Sequence, residues 1–428
     1  MANKNALICL GGGPSPVINA SLQGVVERCL SYDAAIGGVY CALHGIEGVL
    51  LEELMDMRRE DPKEIARLKN TPASGAIGTC RYKLGGDRTE DFDRIIDVFR
   101  AHDIGYFFYI GGNDSMDTAD KVSRLAAERG LELVAVGVPK TIDNDLGDEA
   151  CTIIDHTPGY GSAARYWANL IRDVEEENRG ISVSECVTVY QAMGRDAGFI
   201  TAASRLADPN RELPLQMYLA ESHLTLEELG ENVNRQLVRD GRCIVVVGEG
   251  FDVGDIGAAV DGFGHVEYGA SRMSACQGVV NYLNSIRLRA RGYANCQVPG
   301  VLQRCSSVNR SEVDVREAYE VGAHAAELAA AGKSGLMATI LRSPGPDYGV
   351  YYSEVPLRVV ANSARFLPKE WIAPGGIDVT DDFIRYAKPL IGSGNAPLEF
   401  EDGILRFARL ARARLPKKCP DYVPVGMR

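Results

Sequence analysis

Short apolar runs alternate along the chain with longer stretches in which apolar residues recur at helical spacing. NALICL (5–10), AIGGVYCAL (35–43), IGYFFYI (104–110) and LELVAVGV (131–138) read as strands, as do ECVTVYQAM (185–193) and RCIVVVGEG (242–250). VINASLQGVVERCL (17–30) and DFDRIIDVFRAHD (91–103) carry helical periodicity, and the stretches 270–291 and 312–332 also read as helices. Apolar strands separated by helices of ten or more residues imply an α/β fold of mostly parallel sheets covered by helices on both faces. The segment from about 343 to 400, rich in Pro and Gly, has the weakest pattern.

In such sheets ligands sit beyond the carboxyl ends of the strands. Four strands here end in polar or glycine-rich sequences: GGGPSP (11–16), GGNDS (111–115), PKTIDND (139–145) and MGRDAG (193–198). These four ends are expected to build one site.

Composition narrows the chemistry. The chain has 428 residues, enough for two or three domains, and its formal charge of −12 argues against a general nucleic-acid binder. No apolar run approaches the roughly 20 residues of a membrane span, and the start lacks the apolar core of a signal peptide. The 11 cysteines form no CxxC pair and the 6 histidines no HxxxH, so a cytoplasmic chain with reduced thiols and no structural zinc is expected.

GGGPSPVINA fails as a dinucleotide fingerprint because Pro16 stands where GxGxxG needs its third glycine, which leaves anion binding at Gly12 and Gly13 or a plain turn. In GGNDSMD the glycines permit close backbone approach and Ser115 can cap the following helix, yet Asp114 puts a negative charge into a phosphate-shaped turn. Asp114 and Asp117 could also be first-turn acids favoured by the helix dipole. In PKTIDND, Pro139 ends a strand, and Asp143 and Asp145 flank Asn144 so that their side chains alternate in an extended loop. One carboxylate there can take a proton from a substrate hydroxyl while the other binds a cation; Lys140 and Thr141 stand where a donor phosphate needs charge and a hydrogen bond. Arg195 in MGR suits an anionic substrate or the surface, and Glu249 can accept from sugar hydroxyls. Arg81 and Lys83, on the glycine-bearing loop 71–84, suit a transferring phosphoryl group or simple solvation. Neither a Walker A sequence nor the protein-kinase motifs occur, so the pieces are those of phosphoryl transfer without a P-loop.

GGNDS, PKTIDND, MGR, GEG and LQR, in this order, resemble the phosphofructokinase A family, and in particular its pyrophosphate-dependent branch. The resemblance implies two doubly wound, three-layer domains with the active site in their cleft: residues 1–150 with a return segment near 303–345, and 151–302 with 346–428. It implies Mg2+, pyrophosphate and a sugar phosphate as ligands, and a homodimer or homotetramer. Position by position, it makes Asp143 the proton acceptor, and Asn113 and Asp145 the magnesium ligands. Gly12, Gly13, Ser115 and Lys83 fall at donor positions, and Arg81 bridges donor and transferred group. Thr141, Ile142, Met193, Gly194, Arg195, Glu249, Val301 and Arg304 become acceptor contacts. ATP-using relatives carry glycine where Asp114 and Lys140 stand, so the resemblance implies that Asp114 excludes a nucleotide and Lys140 offers a cation to pyrophosphate.

Four positions depart from the family pattern, among them Asn113, where ATP-using members and many pyrophosphate users have an aspartate that helps hold magnesium. Cys186, Asn295 and Val301 stand where the pattern usually has basic or hydrogen-bonding groups for a sugar 6-phosphate, which leaves Arg304, with Arg287, Arg289 and Arg310 as possible substitutes. The expected acceptor is fructose 6-phosphate; the alternatives are another sugar or polyol, a non-catalytic regulatory subunit, or, more remotely, a nicotinamide dehydrogenase.

Overall fold

The computed structural model describes residues 3–85, 89–261, 264–361 and 363–428. Its central element is the strand β1 (Lys4–Leu10), whose last five residues are all buried. Apolar on both faces, it accepts parallel partners on both edges, β2 (Ile36–Ala42) and, further along the chain, β4 (Ile104–Gly111). The strand β3 (Leu54–Asp56) closes one side antiparallel to β2, and β5 (Val134–Pro139) continues the parallel run beyond β4.

A second sheet is parallel throughout. Its strands are β6 (Val187–Ala192), β7 (Leu215–Tyr218), β8 (Cys243–Gly248) and β9 (Ala294–Gln297), in the order β7-β8-β6-β9. The chain then returns to the first sheet with β10 (Leu336–Arg342) and β11 (Val350–Pro356), completing the order β11-β10-β5-β4-β1-β2-β3. The fold is thus α/β and mostly parallel, as the alternation of apolar runs and amphipathic stretches predicts, with two sheet bodies, as the family resemblance implies.

Helices Ile18–Ser31 and Glu312–Ala330 cross at backbone distance on one face of the first sheet. Gly24 and Gly322 make this possible, since a Cβ on either would lie 2.0 Å from Tyr319 O or 2.3 Å from Ser21 O.

Two sequence expectations change. The stretch 270–291 holds a shorter helix, Ala275–Ser285, started by Ser274, whose side chain accepts the Gln277 N–H; beyond it Arg289 N–H is held by Asn234 Oδ1 at 2.8 Å. Residues 346–428, assigned from the sequence to the second body, are divided. β11 pairs along its length with β10, because the tight Ser343–Gly349 turn folds it back onto the first sheet. Residues 367–390 pack Leu367, Val379, Phe383 and Leu390 into the core of the second body, and the tail returns to the first, with Leu415 N–H on Leu54 O at 2.9 Å.

Candidate active site

The carboxyl ends of β1, β4 and β5 face those of β6 and β8 across a cleft. The turns that follow these strands line a cavity of ≈ 590 Å³. Of the site residues singled out from the sequence, all but Lys83 line it. Lys83 is exposed, and its charge favours the ionised form of Asp114.

After β1 the chain turns at Gly12, and Gly13 passes so close to the 300–304 turn that a Cβ would sit 2.9 Å from Arg304 Nη1. Lys140 follows β5 and is 4 % exposed; its ammonium donates to Gly13 O at 2.6 Å. Burial, opposed by Asp143, lowers its pKa to about 8. After β4, Gly112 is the cap of helix Asn113–Glu128. Ser115 therefore lies inside the first turn rather than capping it, buried so close to β1 that a Cβ on Gly11 would meet its Oγ at 2.3 Å. Asp114 faces the cavity, its pKa raised by burial, with His265 working against that rise. Asp117 takes the plainer role and pairs with Lys121 one turn on.

The TIDND loop is not extended. Asn144 adopts a left-handed conformation at φ 58°, and its side chain turns away into the protein. There its Oδ1 accepts from Thr157 N at 3.0 Å and from Arg365 Nη2 at 2.5 Å, and its Nδ2 donates to Tyr386 Oη at 2.8 Å. Anchoring the middle residue this way leaves Asp143 and Asp145 on the cavity wall. Thr141 Oγ1 accepts the Asp143 N–H at 3.1 Å, and Ile142 packs into the core of the second body. Enclosure by protein, reinforced by Asp145, pushes the Asp143 pKa up to about 6.

From the other sheet, Gly194 and Arg195 turn with φ of 127° and 52°. Glu249 Oε1 holds that turn by accepting both amides, at 3.1 and 2.9 Å. Burial, with Asp143 adding to it, raises the Glu249 pKa to about 7. Gln303 Oε1 fixes Met193 by accepting its N–H at 3.1 Å and is itself set by Trp167 Nε1 at 2.7 Å.

Among the described residues no three His, Cys, Asp or Glu cluster as a metal cage. The donor set does fit a hard cation shared with phosphate oxygens. Asn113 Oδ1 is buried without a hydrogen-bond partner while its Nδ2 is spent on Ser363 O, and Asp145 lines the same cavity.

Cys186 and Asn295 do not bear on this cavity. Cys186 is a fully buried core residue preceding β6, and Asn295 on β9 bonds Glu185. The six residues of β6 span about 20 Å at roughly 3.3 Å each, so both positions lie at the far end of the sheet from Met193. Arg310 is spent on the carbonyls of Lys69, Ser307 and Pro397, and Arg287 and Arg289 are exposed and outside the cavity lining. Cavity-lining residues missed from the sequence include Arg365, Gln303, His265 and Glu267. Arg365 and Glu267 come from irregular segments that carry no motif, and their roles depend on contacts distant in sequence.

The profile of the Phosphofructokinase family matches residues 5–329. A protein of Halomonas elongata named pyrophosphate–fructose 6-phosphate 1-phosphotransferase is 38% identical over 432 residues, covering 99% of this chain and 100% of that one. One of the same name from Methylococcus capsulatus is 38% identical over 423 residues, covering 98% of each. The crystal structure of a pyrophosphate-dependent phosphofructokinase from Nitrosospira multiformis superposes with a TM-score of 0.88 at 35% identity, covering 98% of this chain and 100% of that one.

Proposed function

The chain belongs to the phosphofructokinase family, and from that premise we propose that it transfers a phosphoryl group from pyrophosphate to the 1-hydroxyl of fructose 6-phosphate. The products are fructose 1,6-bisphosphate and inorganic phosphate. The observation that carries this reading is the pairing of a buried ammonium, Lys140, on Gly13 O with a carboxylate, Asp114, in the first turn of the helix after β4. A nucleotide would need room and neutral ground beyond its second phosphate; here that ground carries a carboxylate. Pyrophosphate needs only a cation for the group that leaves.

Phosphoryl transfer is mostly positioning and charge neutralisation. Asp143 takes the proton of the sugar hydroxyl as the new O–P bond forms, and a carboxyl of pKa about 6 is deprotonated at neutral pH while still basic enough to accept it. As the bridging P–O bond breaks, Lys140 and Arg81 stabilise the charge that develops on the departing phosphate. Arg195, Glu249 and Arg304 hold the acceptor. Asn113 and Asp145 are the residues that would hold Mg2+, which when bound neutralises phosphate oxygens.

A homodimer or homotetramer in the cytoplasm belongs to the same reading. Support for assembly comes from apolar side chains left exposed beside the acceptor end, Val298, Val301 and Leu302, next to the sheet edge at β9. Among the described residues no helix is long and apolar enough to cross a membrane.

The test is turnover by the purified chain with Mg2+ and a panel of acceptors, with pyrophosphate or ATP as donor. Fructose 1,6-bisphosphate formed from pyrophosphate, and little from ATP, is the expected result. Preference for ATP, or faster turnover of another sugar or polyol, would overturn the donor or the acceptor assignment respectively.

A further inference from the structure

Residues 408–428 run along the first body and tie themselves to the loop 71–84, which carries Arg81. Glu60, itself buried, accepts Ala411 N on Oε2 at 2.6 Å and Ala413 N on Oε1 at 2.8 Å. Between them Arg412 is held in a left-handed conformation at φ 56°. From there its Nη2 donates to Gly75 O at 2.8 Å and its Nε to Ala76 O at 3.2 Å, while Ala408 N donates to Thr71 Oγ1 at 2.8 Å. The tail therefore holds the start and the middle of the loop.

It holds the end of the loop as well, next to Arg81. Tyr82 Oη donates to Asp91 Oδ2 at 2.6 Å and accepts the Gly426 N–H at 2.8 Å. Asp91, in the first turn of the helix Thr89–Ala101, is 0 % exposed and gives its other oxygen to the tail. Its Oδ1 accepts from Tyr422 Oη at 2.7 Å and from Val425 N at 3.0 Å. A buried carboxylate is destabilised by the loss of any donor, so loop and tail, sharing one anion, cannot shift independently. On the other side of Arg81, Cys80 O accepts the Gly12 N–H at 3.0 Å and Thr79 Oγ1 donates to Gly12 O at 2.8 Å. Arg81 thus stands between an anchor on the turn after β1 and an anchor on the tail, in a stretch without regular secondary structure.

We propose that the tail is a positioning element of the donor site: by holding Tyr82 it fixes the backbone from which Arg81 reaches pyrophosphate. The inference rests on the reading of Arg81 as a donor-binding residue. A guanidinium meets phosphate oxygens through a rigid planar fork, yet it sits at the end of a long side chain rich in rotamers. Its aim depends on where its Cα is held, and a misplacement of about 1 Å can cost up to about 10²-fold in rate. The contacts of the guanidinium itself, with Asp261 and Glu267, act on its head; the tail acts on the main chain behind it. Arg195 and Glu249, read as acceptor contacts, follow strands of the second sheet, whereas these tail contacts are all made to the first body. Loosening the tail should therefore impair the donor and spare the acceptor.

The experiment measures steady-state kinetics of the full chain and of two point variants, each lacking one hydroxyl. Tyr82→Phe removes both bonds at the end of the loop; Tyr422→Phe keeps its ring in place and removes one tail bond to Asp91, a milder change that leaves the fold intact. Tyr82→Phe is expected to lower kcat/KM for pyrophosphate about tenfold and Tyr422→Phe about threefold, with KM for fructose 6-phosphate changed by less than about twofold in both. The same substitutions are then made in Arg81→Ala, where they should change kcat/KM for pyrophosphate by less than about twofold, because the side chain they position is gone. Unchanged kinetics in the folded variants, an equal rise in KM for the acceptor, or the same loss with and without the Arg81 side chain would overturn the proposal and make the tail contacts purely structural. Arg81→Ala with undiminished kcat/KM for pyrophosphate would instead overturn the donor reading of Arg81, and this inference with it.

Discussion

Lys140 Nζ lies 2.6 Å from the carbonyl oxygen of Gly13, so the end of β5 is tied to the end of β1 across the intervening turn after β4. The bond has two consequences. It holds the ammonium at the turn after β1, and it replaces part of the water that the buried charge has lost. Burial still outweighs it, which is why the lysine titrates near 8 instead of near its ordinary value.

The donor preference should follow this contact. Replacing Lys140 and Asp114 together by glycine is expected to lower pyrophosphate turnover by at least about 10²-fold, the scale of losing a preorganised charge at the developing anion. The same variant should gain measurable ATP turnover, since the carboxylate is gone. Steady-state assays with both donors decide; a variant that keeps its pyrophosphate rate would remove Lys140 from the donor site.

For the base, Asp143→Asn should leave the unfolding midpoint close to wild type and reduce kcat by at least about 10²-fold. Near wild-type turnover in the folded variant would assign the proton to another acceptor.

The pH profile has two limbs with predictable signs. Asp143, with its pKa raised to about 6, must be ionised to act, so kcat/KM should rise as pH climbs through 6. Lys140, lowered to about 8, must be protonated, so kcat/KM should fall as pH climbs past 8. The optimum then lies near neutrality, and Lys140→Arg should move the alkaline limb upward because a guanidinium does not titrate there. Glu249→Gln should leave the acidic limb in place; if that limb vanishes, Glu249 and not Asp143 controls it.

Arg365 offers a stability test. It is 1 % exposed and donates to Asn144 O at 2.7 Å, Ile154 O at 2.8 Å and Asp155 O at 3.1 Å. Arg365→Met would strand the Asn144 and Ile154 carbonyls at about 1–3 kcal/mol each, while Asp155 O keeps the Tyr386 hydroxyl, so a loss of at least about 2 kcal/mol is expected in urea unfolding. Below the unfolding range kcat should fall as well, because Asn144 would no longer orient the two aspartates. Unimpaired kcat in a destabilised but folded variant would make Arg365 purely structural.

Much of the molecule was legible in the chain alone. Apolar runs such as IGYFFYI can be buried only as interior strands, and the polar sequences that end them mark the ligand side of a parallel sheet. Motif chemistry is local, so GGNDS, PKTIDND and MGR could be read as neighbours in one site before any strand order was known, and they line one cavity. What tertiary structure decided are the contacts made across long stretches of chain. Asn144 takes its left-handed turn against Arg365, 221 residues away, and Arg81 meets Asp261 over 180. The division of 346–428 between the two bodies, and the seclusion of Cys186 from the cavity, likewise follow from packing. Local sequence specifies which groups prefer burial and where the chain turns; which distant partner satisfies a buried charge or carbonyl is settled only when both sheets are assembled and each polar group must find its match.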